Sequence, residues 1–403
     1  MSILFDRATV YAFDGEGRLI TGFEHGRTLQ RALDGRVLVK TGGRGLGPWQ
    51  RRRRWLTASA GLQAVIAVYA RMRDHADELR RVLPDGWAER LLGWDGQRLA
   101  AERERFQSVY VPVGMLPPDQ YRAVVLQAAF SCPWNRCTFC TLYRGQRFRV
   151  RGPIEFEDHL RRVREFFGTA LPSRRWLFVG EGDALSVPTG RLAALMSEAA
   201  EAFPIAPPAL AGRDLANWLA GRDEGYVGFS GFLDPAAGTR KGVADFAELR
   251  SLGLRRAHIG LETGHPPLYQ ALNKPGDVGS VQTSVASLHG AGIQASIIVL
   301  VGVGGHRYAD AHVRDTLATL AAMDLGRDDL VYLSILRIAR GSAYAQWAEA
   351  EGIERLSPRE LLAQYEALAG ALRRPGGPHV SAYDIAELDV LRPSSQNRSA
   401  ISA

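Results

Sequence analysis

The chain is poor in thiols and poor in lysine. Only three of its 403 residues are cysteine. Three thiols cannot pair off, and a chain this long buries a full core without staples, so a disulfide scaffold is excluded. Lysine is as scarce: Lys40, Lys241 and Lys274 stand against 47 arginines, within a formal charge of +7. Such a skew is the mark of codon composition more than of a nucleic-acid surface. One true basic run remains, Arg51 to Arg54, which could meet RNA, an acidic partner or solvent. No aromatic-plus-basic repeat supports RNA recognition elsewhere.

Long hydrophobic runs are missing too. The longest apolar stretch, roughly 58–70, is interrupted by Gln63, closes on Arg71 and Arg73, and falls short of the ~20 residues that span a bilayer. Asp6 sits where a signal peptide would need its apolar run. The expectation is a cytoplasmic protein with no membrane partner, whose thiols stay reduced and can hold metal. A Gly-x-Ser-x-Gly elbow is absent, which excludes a hydrolase of that kind. No two of the nine histidines stand in a His-x-x-x-His pair; His306 and His312 are six apart.

With 46% apolar and 23% charged residues, the composition is globular, not disordered or fibrous. Residues 5 to 41 read as strands and turns: Thr9–Phe13, the turn Asp14-Gly15-Glu16-Gly17, then 18–21 and 36–39. From Trp55 to about Arg105 the pattern is helical, with Leu62, Ile66, Tyr69 and Met72 at three- and four-residue spacing. Beyond Pro117-Pro118, apolar β-rich runs alternate with amphipathic helical runs six times. The expected strands are 123–127, 176–179, 226–229, 257–261, 295–300 and 330–335. Between them helices are expected near 154–167, 189–203, 242–252, 280–290 and 308–323. Strict alternation implies parallel strands with right-handed crossovers, as a partial barrel or a doubly wound sheet, with ligands gathered at the C-terminal strand ends. A helix over 358–373, a Pro/Gly break at 375–378 and a polar tail from Arg392 to Ala403, expected to be disordered, close the chain. There is no internal repeat.

All three cysteines fall in one segment directly after the first of these strands: Phe130-Ser-Cys132-Pro-Trp-Asn-Arg-Cys137-Thr-Phe-Cys140. Thiolates are soft ligands for zinc or iron–sulfur clusters, and such a loop can wrap three of them around one centre. Three cysteines leave a tetrahedral zinc site one ligand short; they leave a cubane 4Fe-4S cluster with one iron open.

This loop resembles that of the radical S-adenosylmethionine (SAM) superfamily, with Phe139 at the habitual aromatic position before the last cysteine. The commonest superfamily spacing puts three residues between the first two cysteines; here there are four, Pro133 to Arg136. A little-characterised branch shares that spacing and continues, as here, Asn-Arg-Cys-Thr-Phe-Cys, then Tyr143-Arg144 and Phe148-Arg149. The likeness covers about residues 105 to 390. It implies a partial (β/α)6 TIM-like barrel over 116–345, preceded by an α+β extension (1–115) and followed by a short C-terminal region (346–403). Cys132, Cys137 and Cys140 would be the cluster ligands.

Other strand ends join the resemblance. Gly180-Glu181-Gly182-Asp183 stands where the superfamily has a Gly-Gly-Glu-Pro-like turn that meets the amino group of SAM. Gly lets backbone approach closely, and a carboxylate suits an ammonium ion. Gly260-Leu261-Glu262-Thr263-Gly264 resembles the family's Gly-Leu-Glu-Ser-Gly, placing Glu262 at the barrel mouth for ribose or substrate. Gly302 and Gly304, after strand five, would let adenine or the methionine carboxylate lie against backbone; they are no phosphate loop, since no Lys-Ser/Thr follows. Asn273-Lys274-Pro275-Gly276 matches a family turn, and Ser230 and Ser334 are candidate pocket residues. The implied partners are SAM, an electron donor such as flavodoxin or ferredoxin, and an unidentified substrate, expected to be small. The alternatives are a tRNA- or protein-modifying relative gripping its target with the N-terminal region, for which Arg51 to Arg54 is the only support, and a non-catalytic zinc or iron–sulfur module. With every thiol in one loop, auxiliary clusters and cysteine relays are excluded. Thr141 stands where the porphyrinogen-oxidising branch usually has a fourth cysteine. The expected reaction is an oxidoreductase-like hydrogen abstraction on one cluster.

Overall fold

The computed structural model describes residues 1–42 and 52–385, so the expected polar tail and Arg51 of the basic run lie outside the described residues. The described chain forms two compact units: Met1–Val113 with Arg161–Arg174, and Gly114–Leu160 with Arg175–Ile385.

The first unit carries a six-stranded antiparallel meander in chain order: β1 (Ser2–Asp6), β2 (Thr9–Phe13), β3 (Leu19–Glu24), β4 (Arg27–Arg31), β5 (Val37–Thr41) and β6 (Arg52–Trp55). Alternation in β2 turns Tyr11 and Phe13 to the core. Part of the basic run is thus an edge strand, with Arg53 opposite Lys40, a position where charge blunts further pairing. The expected single helical stretch is four helices, 58–74, 76–82, 87–92 and 96–109. Thr57 and Asp95 cap two of them by accepting from the amides of Ala60 and Arg98. Tyr69 stacks on Trp94 at 5.8 Å, and its hydroxyl donates to the Gly17 carbonyl.

The second unit is a parallel seven-stranded sheet, curved as a partial TIM-like barrel, with helices between its strands. In chain order its strands are β7 (Val124–Leu126), then, after a small antiparallel ribbon of β8 (Ala129–Phe130) and β9 (Arg149–Val150), β10 (Leu177–Val179), β11 (Phe229–Phe232), β12 (Leu254–Glu262), β13 (Gln294–Val301), β14 (Leu330–Ile335) and β15 (His379–Tyr383). The spatial order is β15-β14-β13-β12-β11-β10-β7. Buried on both faces, β13 reads as an almost unbroken apolar run, as parallel strands do.

Two expectations are corrected. The third strand begins at Phe229 rather than Tyr226, because Gly228 takes a φ of 155° and breaks the run. The sheet has seven strands, not six: β15 pairs in parallel with β14 over five positions. Helix 358–372 precedes it, started by a Ser357–Glu360 capping box with Pro358 in the first turn. No helix among the described residues is long and apolar enough to cross a membrane.

Candidate functional site

The cysteine loop leaves the barrel at the C-terminal end of β7 and returns through β9. Its two ends are tied by the β8–β9 ribbon, and Phe130 lies between the guanidinium groups of Arg149 (4.3 Å) and Arg151 (4.7 Å). Inside the loop, Ser131 (φ 68°) and Asn135 (φ 47°) take left-handed backbone that lets the chain fold back on itself. The Asn135 amide donates to the Cys132 sulfur at 3.5 Å, and its side chain donates to the Tyr143 carbonyl. The Cys140 amide closes a turn on the Cys137 carbonyl.

The far side of the loop is fastened to the turn that follows β12 and the short helix 266–271, three strands along the sheet from β7. The Trp134 indole donates to the Asn273 carbonyl (2.7 Å), the Asn273 side chain donates to Arg136 O, and the Thr138 amide donates to Leu272 O. The Tyr344 amide then donates to Thr138 O. Phe139 packs against the cluster of Leu268, Leu272, Leu300, Val303 and Tyr344. These bonds carry the loop across the barrel mouth, with Phe139 as its hydrophobic anchor.

The near side is stitched to the end of β10. The Gly180 amide donates to Leu126 O, that of Glu181 to Ala129 O, and that of Asp183 to Ser131 O. In return Glu181, buried, accepts from the backbone amides of Gly114 (2.9 Å) and Ser131 (3.1 Å). Glu181 therefore spends its carboxylate on holding backbone. Asp183 accepts from the Ser186 hydroxyl at 2.5 Å and from the Asp234 amide at 3.1 Å. Below this turn Lys241, buried, donates to Val187 O (2.7 Å) and Thr189 Oγ1.

On the β12 side, a bulge between Gly260 and Glu262 puts Glu262 at φ 63°, a costly conformation for a residue with a side chain. The bulge turns its carboxylate to the buried Lys274, 3.2 Å away. A Cβ on Gly260 would stand 2.1 Å from the Glu262 carboxylate, so a side chain there would push Glu262 from its place. The loop after Glu262 is held from helix 305–321: Thr263 Oγ1 meets the His312 ring at 2.9 Å, and the Gly264 amide donates to Thr316.

The electrostatics follow from burial. Burial pushes the Cys132 thiol up to about 11, with Asp183 adding to the effect, and the Cys137 thiol up to about 12, partly opposed by Lys274. Asp183 is raised to about 7 by burial and by the neighbouring Asp234. Burial works against the charge of Lys274, but Glu262 and then Cys137 outweigh it and hold Lys274 above the ordinary lysine range. One lysine and several acids thus surround the thiols.

Gly302 and Gly304 follow β13 on either side of Val303, which belongs to the cluster that Phe139 packs against. The Gly302 amide donates to Gln364 of helix 358–372, and a Cβ there would stand 2.5 Å from Leu361. The Gly304 amide donates to the Tyr344 hydroxyl. Both glycines serve close packing of the chain on itself. Ser230 donates to Gln120 inside the barrel, and Ser334 is buried in β14. Asp234 escaped the reading of the sequence because the third strand was placed three residues early. The bond between Trp134 and Asn273 escaped it because it joins segments 139 residues apart.

Three thiols on one loop, at the C-terminal end of the first strand of a parallel barrel, suit an iron–sulfur cluster in donor chemistry and placement. Among the described residues, no three Cys, His, Asp or Glu side chains are already drawn together as a metal site.

No family model matches the chain, and no curated protein matches it. Solved structures of similar fold include the archaeal Methanocaldococcus infernus Elp3 with an N-terminal deletion (11% identity over 64% of this chain and 56% of that one, TM-score 0.39). Coproporphyrinogen III oxidase from Escherichia coli, a radical SAM enzyme, is similar at 14% identity over 66% of this chain and 55% of that one (TM-score 0.40). Spore photoproduct lyase is similar at 14% identity over 69% and 80% (TM-score 0.45). The chain spans little more than half the length of the first two.

Proposed function

We propose that this chain is a radical SAM enzyme that holds one 4Fe-4S cluster on Cys132, Cys137 and Cys140. The observation that carries the reading is the cysteine loop itself: it is bonded to the end of β10 on one side and to the turn after β12 on the other. The three thiolates would hold the cluster, which would supply one-electron reductive cleavage of SAM to methionine and a 5′-deoxyadenosyl radical for hydrogen abstraction from substrate, the electron coming from a donor such as flavodoxin or ferredoxin.

The chain's own residues supply the rest. Asp183 offers a carboxylate oxygen beside Cys132 for the SAM amino group, the charge complement that a buried carboxylate favours. Glu262, set by the bulge and by Lys274, faces the same mouth and would accept from ribose hydroxyls. Glu181 and Lys241 are positioning residues: one fixes Ser131 ahead of Cys132, the other the turn after Asp183. The Phe139 anchor and the Trp134–Asn273 bond hold the loop in place over the barrel. The substrate is proposed to be a small molecule entering the barrel.

Anaerobic reconstitution followed by iron and sulfide analysis tests this reading. The expected result is the iron-to-sulfide ratio of one 4Fe-4S cluster, and release of 5′-deoxyadenosine from SAM with dithionite. Cys137→Ser should lose both. Zinc in place of iron, or a cluster that survives the substitution, overturns it.

A further inference from the structure

One buried histidine has no task in the site described above. His258 on β12 is fully buried, and neither ring nitrogen has a hydrogen-bond partner among the described residues; the Ser296 hydroxyl on β13 is equally buried and equally unpartnered. Buried polar atoms in folded proteins are nearly always paired, so two such side chains together point to a ligand or water.

They are together. His258 and Ser296 are register partners in neighbouring parallel strands, so their side chains leave the sheet on the same face. That face is the inside of the barrel. One row below, Arg256 on β12 donates to Asp119 and to Gln294 on β13, and Ser230 on β11 donates to Gln120; Tyr332 on β14, level with Gly260 one row above His258, also donates to Asp119. Side chains from three strands thus converge on residues 119–120, which form the floor. His258 and Ser296 occupy the next row up. Glu262 lies four residues further along β12, about 13 Å above at ~3.3 Å per residue.

We infer that His258 and Ser296 recognise the substrate inside the barrel, by hydrogen bonds to an uncharged group that both donates and accepts, a carboxamide or a hydroxyl. This rests on the proposed function, since it assigns the substrate of that same site. The surroundings select the class. Phe232 (5.7 Å) and Phe178 (6.0 Å) flank the imidazole, so an apolar body fits beside it. Burial pushes His258 down to about 4, leaving the ring neutral, with one donor and one acceptor nitrogen. The charges nearest the floor, Asp119 and Arg256, are already paired with each other at 2.9 Å, so a charged ligand would find no counter-ion. Full burial of both side chains excludes a folded macromolecule.

The test uses the full chain, reconstituted anaerobically and labelled with 15N in its histidine rings, with His258→Phe identifying the His258 signals. Acetamide is the probe; acetate and methylammonium are its charged counterparts. Acetamide should shift the His258 signals saturably, the charged probes should not, and Ser296→Ala should weaken acetamide by about threefold to tenfold, the worth of one hydrogen bond. If His258→Phe fails to fold, Ser296→Ala, which removes a single oxygen, still carries the comparison. His258 signals blind to acetamide, or equally responsive to acetate, or indifferent to Ser296→Ala, overturn the inference. Cluster content and deoxyadenosine release are measured on the same samples. A protein that forms its cluster but ignores acetamide sinks this inference alone; one that binds acetamide but takes up no cluster sinks the proposed function alone.

Discussion

Gly182 stands so close to Ser131 that a Cβ on it would lie 2.0 Å from the Ser131 carbonyl oxygen. The turn after β10 and the residue before Cys132 are therefore pressed backbone to backbone, and no side chain fits between them. Gly182 also has a φ of 81°, which favours glycine. Gly182→Ala should push the cysteine loop away, lowering cluster content after reconstitution and costing about 1–3 kcal/mol in stability. Gly145→Ala separates clash from backbone strain: its φ is 77°, yet a Cβ there meets nothing within 4 Å. It should show the strain cost without the loss of cluster.

Glu262 and Lys274 form a buried ion pair, and breaking such a pair by removing one member leaves an uncompensated charge. Lys274→Met or Glu262→Gln alone should each cost about 3–5 kcal/mol in urea unfolding. The double variant should recover much of that loss, because no lone charge remains. Strict additivity of the two single costs would show that the pair is not coupled.

Five barrel strands were legible within a few residues because their apolar runs are long and bounded by turns: β7, β10, β12, β13 and β14. The third slid because 226–232 is an aromatic-rich run with no turn signal in it, and the break at Gly228 does not stand out from the sequence. β15 escaped because a five-residue strand in which only Tyr383 is buried, following a Pro/Gly break, looks like loop. The cysteines were legible by their spacing alone. Their fastening was not: Glu181, Asn273 and Trp134 act through hydrogen bonds between segments far apart in the chain, and such bonds leave no periodicity. The bulge that turns Glu262 toward Lys274 was invisible for the same reason, since register is a property of two strands.

The N-terminal unit has its own buried charge centre. Glu102 accepts from both Arg18 and Arg31, all three buried, and Arg18 also pairs with Asp14 at 3.3 Å. Glu102→Gln keeps the shape but takes the counter-charge from Arg31 and leaves Arg18 with Asp14 alone, in a core beside Trp94 and Phe166. Unfolding of this unit, followed by near-ultraviolet circular dichroism of its tryptophans, should move to lower urea by about 3–5 kcal/mol. An unchanged midpoint would mean that water reaches the site.

His289 and Asp329 pair at the lower end of the barrel, 3.2 Å apart, and their linkage to pH has two signs. Hydrogen bonding to Asp329 raises the pKa of His289 above its ordinary value. Its contribution is fully present below about pH 6.5 and is lost as pH rises through the raised value. For Asp329, burial works against the charge, but bonds from His289 and from the amides of Gly326 and Ala295 prevail and lower its pKa. Its contribution is present above about pH 4 and is lost as pH falls through the lowered value. Since His289 is partly exposed, its share should be no more than about 1 kcal/mol. His289→Gln should therefore flatten the fall in stability between about pH 6 and 8 while leaving the acid limb in place. Asp329→Asn should erase the fall and soften the acid limb together, read as urea midpoints across the pH series. A His289→Gln profile that still falls toward pH 8 would place the titrating group elsewhere.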